Sequence, residues 1–320
     1  MLCRACPFEC GVDRASALGV CRATDRIELA LAQLHHWEEP PISGTRGSGA
    51  IFFSHCNLRC RFCQNYDISQ QGRGRETTPE RLVRIMLELE QQGAHNINLV
   101  SPTHYSDQLL PILEAARPKL GVPFVWNSNG YEKAETLRRF EGLVTVFLPD
   151  LKYANDELAR ACSSAPDYFR HATTALLEMK HQVGTNRFDD DGIMQRGMIV
   201  RHLVLPGHIE NSKRVLTWLR DSLGPETLVS LMSQYYPVQR DMTDGDMTQI
   251  RPGIWDRVPG SSDRVPSSAR LLESLNRRLT PAEYDEVRAH FEDLEFDEGF
   301  AQELDSASKD YTPDFNGTGI

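Results

Sequence analysis

Nowhere in the 320 residues does an apolar run approach the roughly 20 needed to span a bilayer, and the first residues lack the apolar stretch of a secretory signal. Basic residues are scattered rather than massed: 35 Lys and Arg against 45 Asp and Glu give a formal net charge of -10. That balance argues against a surface built to neutralise nucleic-acid phosphates or an anionic membrane. The expectation is a cytoplasmic protein with neither as partner. The sequence has no internal repeat. It also lacks the cysteine distribution of a small disulfide scaffold, because seven of its eight cysteines fall in two tight groups near the N-terminus. Short-spaced thiols in a long chain point to metal or a cluster rather than to cross-links. Cys162 stands alone and reads as a small core hydrophobe.

A 40% apolar, 25% charged composition over this length supports one large core of the size used by α/β barrels. Residues 1–26 read as irregular loops tied to a metal. After the turn-forming PPISGTRGSG, the run Ala50 to Ser54 reads as a buried strand. Further strands are expected at Ile97 to Val100, Pro123 to Asn127, Val144 to Pro149, Met198 to Leu205 and Leu228 to Ser233. Helices are expected at Thr78 to Gln92 and Ser106 to Lys119, with helical patterns between the later strands. Six alternating units imply right-handed crossovers and a parallel sheet, as a partial or full α/β barrel, with an open doubly wound sheet as runner-up. The domain reading is a Cys-rich segment 1–45, a barrel 46–240, and a loop with a C-terminal helical extension 241–320. Within the last, 241–268 is expected as a long loop, Leu-Thr-Pro-Ala-Glu as the cap of the final helix, and the residues from about Asp305 as a polar tail.

The segment SHCNLRCRFCQNYDISQ follows the first expected barrel strand and places Cys56, Cys60 and Cys63 at C-x3-C-x2-C spacing. Thiolates are the soft ligands an iron-sulfur cluster takes, and three of them on a 4Fe-4S cubane leave one iron open. S-adenosylmethionine (SAM), chelating that iron through its amino and carboxylate groups, would accept one electron and release a deoxyadenosyl radical. The loop leaves the C-terminal end of a strand, where active sites of α/β barrels form. Arg59 and Arg61 are expected to offset the cluster's negative charge.

The word C-x3-C-x-Phe-C, together with FFSHCNLRCRFCQNYDIS, INLVSPTHY, NSNGY, FLPDLKY, EMKHQVG, VRHLVLPG, SLMSQYYP and RRLTPAEYDEV, resembles radical SAM enzymes. The surrounding words resemble one poorly characterised branch, the homologues of pyruvate formate-lyase activating enzyme, over nearly the whole chain. The resemblance implies a partial (β/α)6 barrel with SAM across the strand tips. It implies that Cys56, Cys60 and Cys63 hold the cluster and that Phe62 lies against the adenine. The family's glycine-glycine-glutamate turn is replaced by Ser101-Pro102-Thr103-His104, with Ser101 and Thr103 at its SAM-facing positions. Asn127, Ser128, Asp150 and Lys152 correspond to groups near the SAM carboxylate and a monovalent cation, and Asn127 replaces an acidic ligand there. Arg201 corresponds to an arginine near SAM that could grip a carboxylate bidentately, and Gln234 or Tyr235 should reach the nucleoside. His35, His36 and His208 are expected as packing or surface residues.

Cys3, Cys6, Cys10 and Cys21 form C-x2-C-x3-C-x10-C, four thiols able to close a zinc site or hold a second cluster; spacing does not separate the two, and their place ahead of the Cys56–Cys63 loop, where activating enzymes resembling this one carry extra clusters after it, favours a structural metal over an electron relay. The leading expectation is a radical SAM oxidoreductase fed by an external one-electron donor such as flavodoxin or ferredoxin. Its resemblance to activating enzymes admits a glycyl-radical partner protein as substrate. The chain carries no glycyl-radical signature itself. The alternatives are an iron-sulfur electron-transfer or cluster-carrier protein without SAM chemistry, and a zinc-dependent binding module, which the acidic charge disfavours.

Overall fold

A computed structural model describes residues 2–237, 268–304 and 313–320. The expected loop 241–268 therefore lies outside the described residues apart from its last position. Among the described residues ten strands form one sheet: β1 Glu28–His35, β2 Ser48–Phe53, β3 Arg75–Glu76, β4 Ile97–Val100, β5 Phe124–Ser128, β6 Val146–Pro149, β7 Arg187–Phe188, β8 Met194–Leu203, β9 Leu228–Met232 and β10 Gly299–Ala301. The order is β10-β9-β8-β6-β5-β4-β2-β1-β3, with β7 paired to β8 off this path. Strands β2, β4, β5, β6, β8 and β9 are the six expected from sequence, and consecutive neighbours in that series run parallel. The sheet stays open, with β3 and β10 at its ends, as a partial barrel does.

Every residue of β2, β4, β5, β6 and β9 is buried, the signature of parallel strands covered on both faces. Alternation along each strand sorts the side chains between two layers. Phe124, Trp126, Phe147, Val200 and Val229 point outward into the main core under helices such as Pro79–Gln91 and Tyr168–Val183. Val125, Val146, Leu148, Ile199 and Leu228 point inward and form a second cluster with Ile42. Helix Pro79–Gln91 starts where its residues dictate: Thr78 accepts from the Arg81 amide and Pro79 occupies the first turn. The last helix, Pro281–Asp293, carries the expected cap as a complete Thr280–Glu283 capping box.

Three segments depart from the sequence reading. Strand β1 lies inside the segment read as a metal-bound head plus linker; it pairs antiparallel with β2, so its last residue His35 faces Ser48, the first residue of β2. Residues 36–44 consequently sit at the N-terminal end of the parallel strands, and helix Pro40–Ser43 inserts Ile42 into the inner cluster. Second, residues 299–301 add strand β10 after the final helix. Third, residues 313–320 dock rather than trail: Phe315 meets Phe52 edge-on at 5.5 Å, and Thr318 O accepts from the Ala32 amide at 3.0 Å.

Phe147 is fully buried in the outward layer at the middle of the sheet. Replacing it with Ala is expected to cost about 3–5 kcal/mol in urea unfolding, because neighbouring strands cannot collapse into the void; a loss below about 1 kcal/mol would contradict the packing described.

Candidate functional site

The cysteine loop leaves β2 through His55, held in the left-handed region at φ 70. Its turn is fixed from both sides: the His55 amide donates to Ile68 O at 2.7 Å, and the Arg59 and Arg61 amides donate to Ser163 O and Cys162 O. Each of the three sulfurs has a hydrogen-bonding neighbour. Cys56 Sγ accepts from the Leu58 amide and from Asn129 Nδ2, both at 3.4 Å; Cys60 Sγ accepts from Ser163 Oγ at 3.0 Å; Cys63 Sγ lies 3.2 Å from Ser69 Oγ. Such donors favour thiolate and tune a cluster bound to it. Burial pushes the Cys56 thiol up to about 12, with Cys60 adding to the effect, and Cys60 up to about 11, where Lys152 opposes the shift. Loading metal here must therefore release protons. Among the described residues no three His, Cys, Asp or Glu side chains are grouped so as to hold one metal ion. Three thiolates on separate irons of a cubane do not require that grouping. The donor set and its hydrogen bonds fit a cluster.

Beside the loop lies a cavity of about 230 Å³. Its wall brings together Cys60, Phe62 and Cys63 from the loop with Asn127, Asp150, Lys152, Arg201, Gln234 and Tyr235 from the ends of four other strands. Strand parity explains the selection. Asn127 continues the inward series of Val125, Asp150 that of Val146 and Leu148, and Arg201 that of Ile199. Ser128 falls one residue later and faces away, its Oγ accepting from the Gly130 amide. Ser101, in left-handed backbone at φ 60, and Thr103 also miss the cavity; Thr103 Oγ1 donates to buried Glu132 at 2.8 Å. His104 binds Ser54 O, and its own carbonyl accepts from Arg14. The side chains of Ser101, Thr103 and Ser128 therefore do not line this cavity, although the Ser101 amide donates to Asn127 O at 2.8 Å and the Asp150 amide to Ser128 O at 2.9 Å.

The polar centre of the cavity is a charge network. Arg201 donates through Nε to Asp150 Oδ1 at 2.9 Å, through Nη1 to Glu38 Oε2 at 3.1 Å and through Nη2 to Asn127 Oδ1 at 2.6 Å. Lys152 Nζ donates to the other Asp150 oxygen at 2.5 Å, and Glu38 Oε1 accepts from Asn98 and Asn127. The charged side chains keep only 10–15% of their surface exposed. Burial alone would raise Asp150, but Arg201 and Lys152 outweigh it and hold its carboxyl below the ordinary range. Burial opposes the charge on Arg201, and Asp150, Glu39 and Glu38 more than compensate. Burial lifts Glu38 above the usual carboxylate range against the pull of Arg201. These three bonds use one N–H on each guanidinium nitrogen and leave two of the five Arg201 donors, one on each Nη, for a ligand.

Glu38 was invisible to sequence reasoning, which placed it in the Cys-rich segment 1–45 just before the turn-forming PPISGTRGSG. It reaches the network from the N-terminal end of the barrel, opposite to the end where sites are sought. The only signal was the alternating run ELALAQLH of β1, which could have marked its end as barrel lining. Arg59 also differs from expectation: its guanidinium donates to Val20 O at 3.0 Å and to Gln70 Oε1 at 2.8 Å, and its charge acts on Cys21 of the N-terminal group. Arg61 turns outward to Ala161 O. Cys162 is fully buried in the core as expected. His35 lines the cavity edge-on to Phe52, whereas His208 packs on Leu271 O.

Against this geometry stand the comparisons with known proteins. Residues 50–189 match the family model of the Radical SAM superfamily. The chain is 29% identical over 245 residues to Uncharacterized protein MJ0674 of Methanocaldococcus jannaschii, across 73% of this chain and 66% of that protein. It is 24% identical over 267 residues to Uncharacterized protein MJ0808 of the same organism, across 78% and 74%. The chain thus spans slightly less than two thirds of the first of these relatives. Among solved structures it is similar to the FeFe-hydrogenase maturase HydG from Carboxydothermus hydrogenoformans, with TM-score 0.41 and 13% identity across 81% of this chain and 59% of that one. It is also similar to Streptococcus suis SuiB bound to S-adenosylmethionine, with TM-score 0.39 and 13% identity across 61% and 43%. No helix among the described residues is long and apolar enough to cross a membrane.

Arg201→Ala leaves Glu38 buried without its cation and Asp150 with Lys152 alone, and is expected to cost about 3–5 kcal/mol of stability. The sign of its pH dependence follows from Glu38. Burial already raises its folded-state value and loss of Arg201 raises it further, so its contribution to the folded state falls as pH climbs. The penalty in denaturant unfolding should therefore be larger at pH 8 than at pH 5, and the opposite trend would contradict the network.

Proposed function

We propose that this protein is a radical SAM oxidoreductase that cleaves SAM reductively and uses the product to abstract hydrogen. The observation that carries the reading is the convergence of Cys60, Phe62 and Cys63 with Asp150, Lys152 and Arg201 on one cavity wall. Bound there, a three-thiolate 4Fe-4S cluster and SAM supply one-electron cleavage of a carbon–sulfur bond to a 5'-deoxyadenosyl radical. The chain's own residues bind, orient and exclude water. Cys56, Cys60 and Cys63 hold the cluster. Phe62, 5.9 Å from the Tyr235 ring, offers an aromatic edge to the nucleoside. Glu38, Glu39 and Asp150 against Lys152 and Arg201 give an acidic surplus, which complements the sulfonium charge of the ligand.

The likeness of the sequence words to activating enzymes supports the finer reading that hydrogen is taken from a glycine of a partner protein. An external flavodoxin- or ferredoxin-class protein would supply the electron, and Cys3, Cys6, Cys10 and Cys21 would hold a second metal, zinc or iron-sulfur.

Cys60→Ala is expected to abolish deoxyadenosine formation, and activity retained in that variant would remove the cluster assignment. Arg201→Ala is expected to weaken SAM binding by about tenfold or more, as loss of a charged contact does. An unchanged dissociation constant in calorimetry would withdraw Arg201 from the site.

A further inference from the structure

Four thiols in the N-terminal head remain unused by the cavity. The head that carries Cys3, Cys6, Cys10 and Cys21 folds back on itself, with Cys3 and Cys10 packed against Val12 and Val20, the Gly11 amide donating to Cys3 O and the Glu9 amide to Cys6 O, and it is pinned to the barrel. Arg14 donates to Ala23 O and His104 O and stacks over the Tyr105 ring at 5.3 Å. Within the head, the Val20 amide donates to Cys10 Sγ at 3.4 Å. A Cβ at Gly19 would stand 3.0 Å from that sulfur, so glycine is what lets the backbone approach it. An all-thiolate set with an amide aimed at sulfur suits an iron-sulfur cluster.

The group is also oriented. Cys6 and Cys21 are buried, whereas Cys3 and Cys10 are only partly covered. The buried side faces the radical SAM loop, because Arg59 of that loop donates to the carbonyl next to Cys21. Two short routes connect the groups. Val20, the neighbour of Cys21, accepts from the guanidinium of Arg59, the neighbour of Cys60. Phe8 meets the Tyr131 ring at 5.4 Å, and Tyr131 O accepts from Asn57, the neighbour of Cys56, at 2.8 Å. One side thus meets solvent and the other meets the catalytic loop.

We infer that Cys3, Cys6, Cys10 and Cys21 hold a second 4Fe-4S cluster that relays single electrons to the cluster at Cys56, Cys60 and Cys63, an inference that rests on the radical SAM reading. One electron enters from an external flavodoxin- or ferredoxin-class donor, reduces the N-terminal cluster and leaves for the second, returning the first to its oxidised state. No bond and no proton changes hands in the step.

The test compares the anaerobically reconstituted full chain with Cys3→Ser and Cys21→Ser, the first chosen because its partly exposed position spares the fold. Metal analysis and Mössbauer spectroscopy should find about eight irons and no zinc in the wild type, falling to about four in either variant. In stopped-flow absorption, reduced flavodoxin should reduce the catalytic-loop cluster in a fast phase that the variants lose, while dithionite still reduces it in all three proteins. One zinc with about four irons, or an unaltered fast phase in the variants, overturns the relay. Failure of SAM to perturb the dithionite-reduced wild type would instead sink the radical SAM reading, whatever the iron count.

Discussion

Arg201 on β8 carries a charge that burial disfavours and that four other stretches of chain answer: the 36–39 segment with Glu38, β4 with Asn98 through Glu38, β5 with Asn127, and the end of β6 with Asp150 and Lys152. Removing any one of these partners leaves a charge or polar group uncompensated in a low-dielectric interior. The network therefore fixes how the strand ends sit relative to one another, and with them the wall that faces Cys60 and Cys63. It is an expensive way to hold a barrel together if stability were the only requirement. Its acidic surplus, placed next to three hydrogen-bonded thiols, is consistent with a site shaped for a cationic ligand.

Much of this was legible because parallel strands announce themselves. The runs INLV, FVWN, VFLP and LVSLM are apolar on both faces and are separated by helical patterns, so six core strands were placed within a few residues. The cysteine loop was legible because ligand spacing is a local property. Side-chain direction was only half legible. Asn127 and Ser128 looked like one polar pair at a strand end, yet alternate faces send only Asn127 to the cavity. Ser101 and Thr103 were placed by correspondence to a turn the sequence does not contain, and their partners are scaffold groups such as Asn127 O and Glu132.

What sequence could not reveal depends on long-range closure. Glu38 meets Arg201 across 163 residues and arrives from the end of the barrel opposite the expected site. Phe315 covers Phe52 although its surroundings read as polar tail. Arg59 sits between Cys56 and Cys60, yet its side chain serves Val20 in the head. Such contacts are chosen by the assembled fold, so no local window of sequence carries them.

The central claim is that three thiols and a charged cavity form one redox site for SAM. It is tested most directly by the electron paramagnetic resonance spectrum of the anaerobically reconstituted, reduced protein with and without SAM, with deoxyadenosine assayed in parallel. The account predicts a spectrum that changes on adding SAM and deoxyadenosine that accumulates. An unchanged spectrum with no cleavage would contradict it and leave an electron carrier in place of an enzyme.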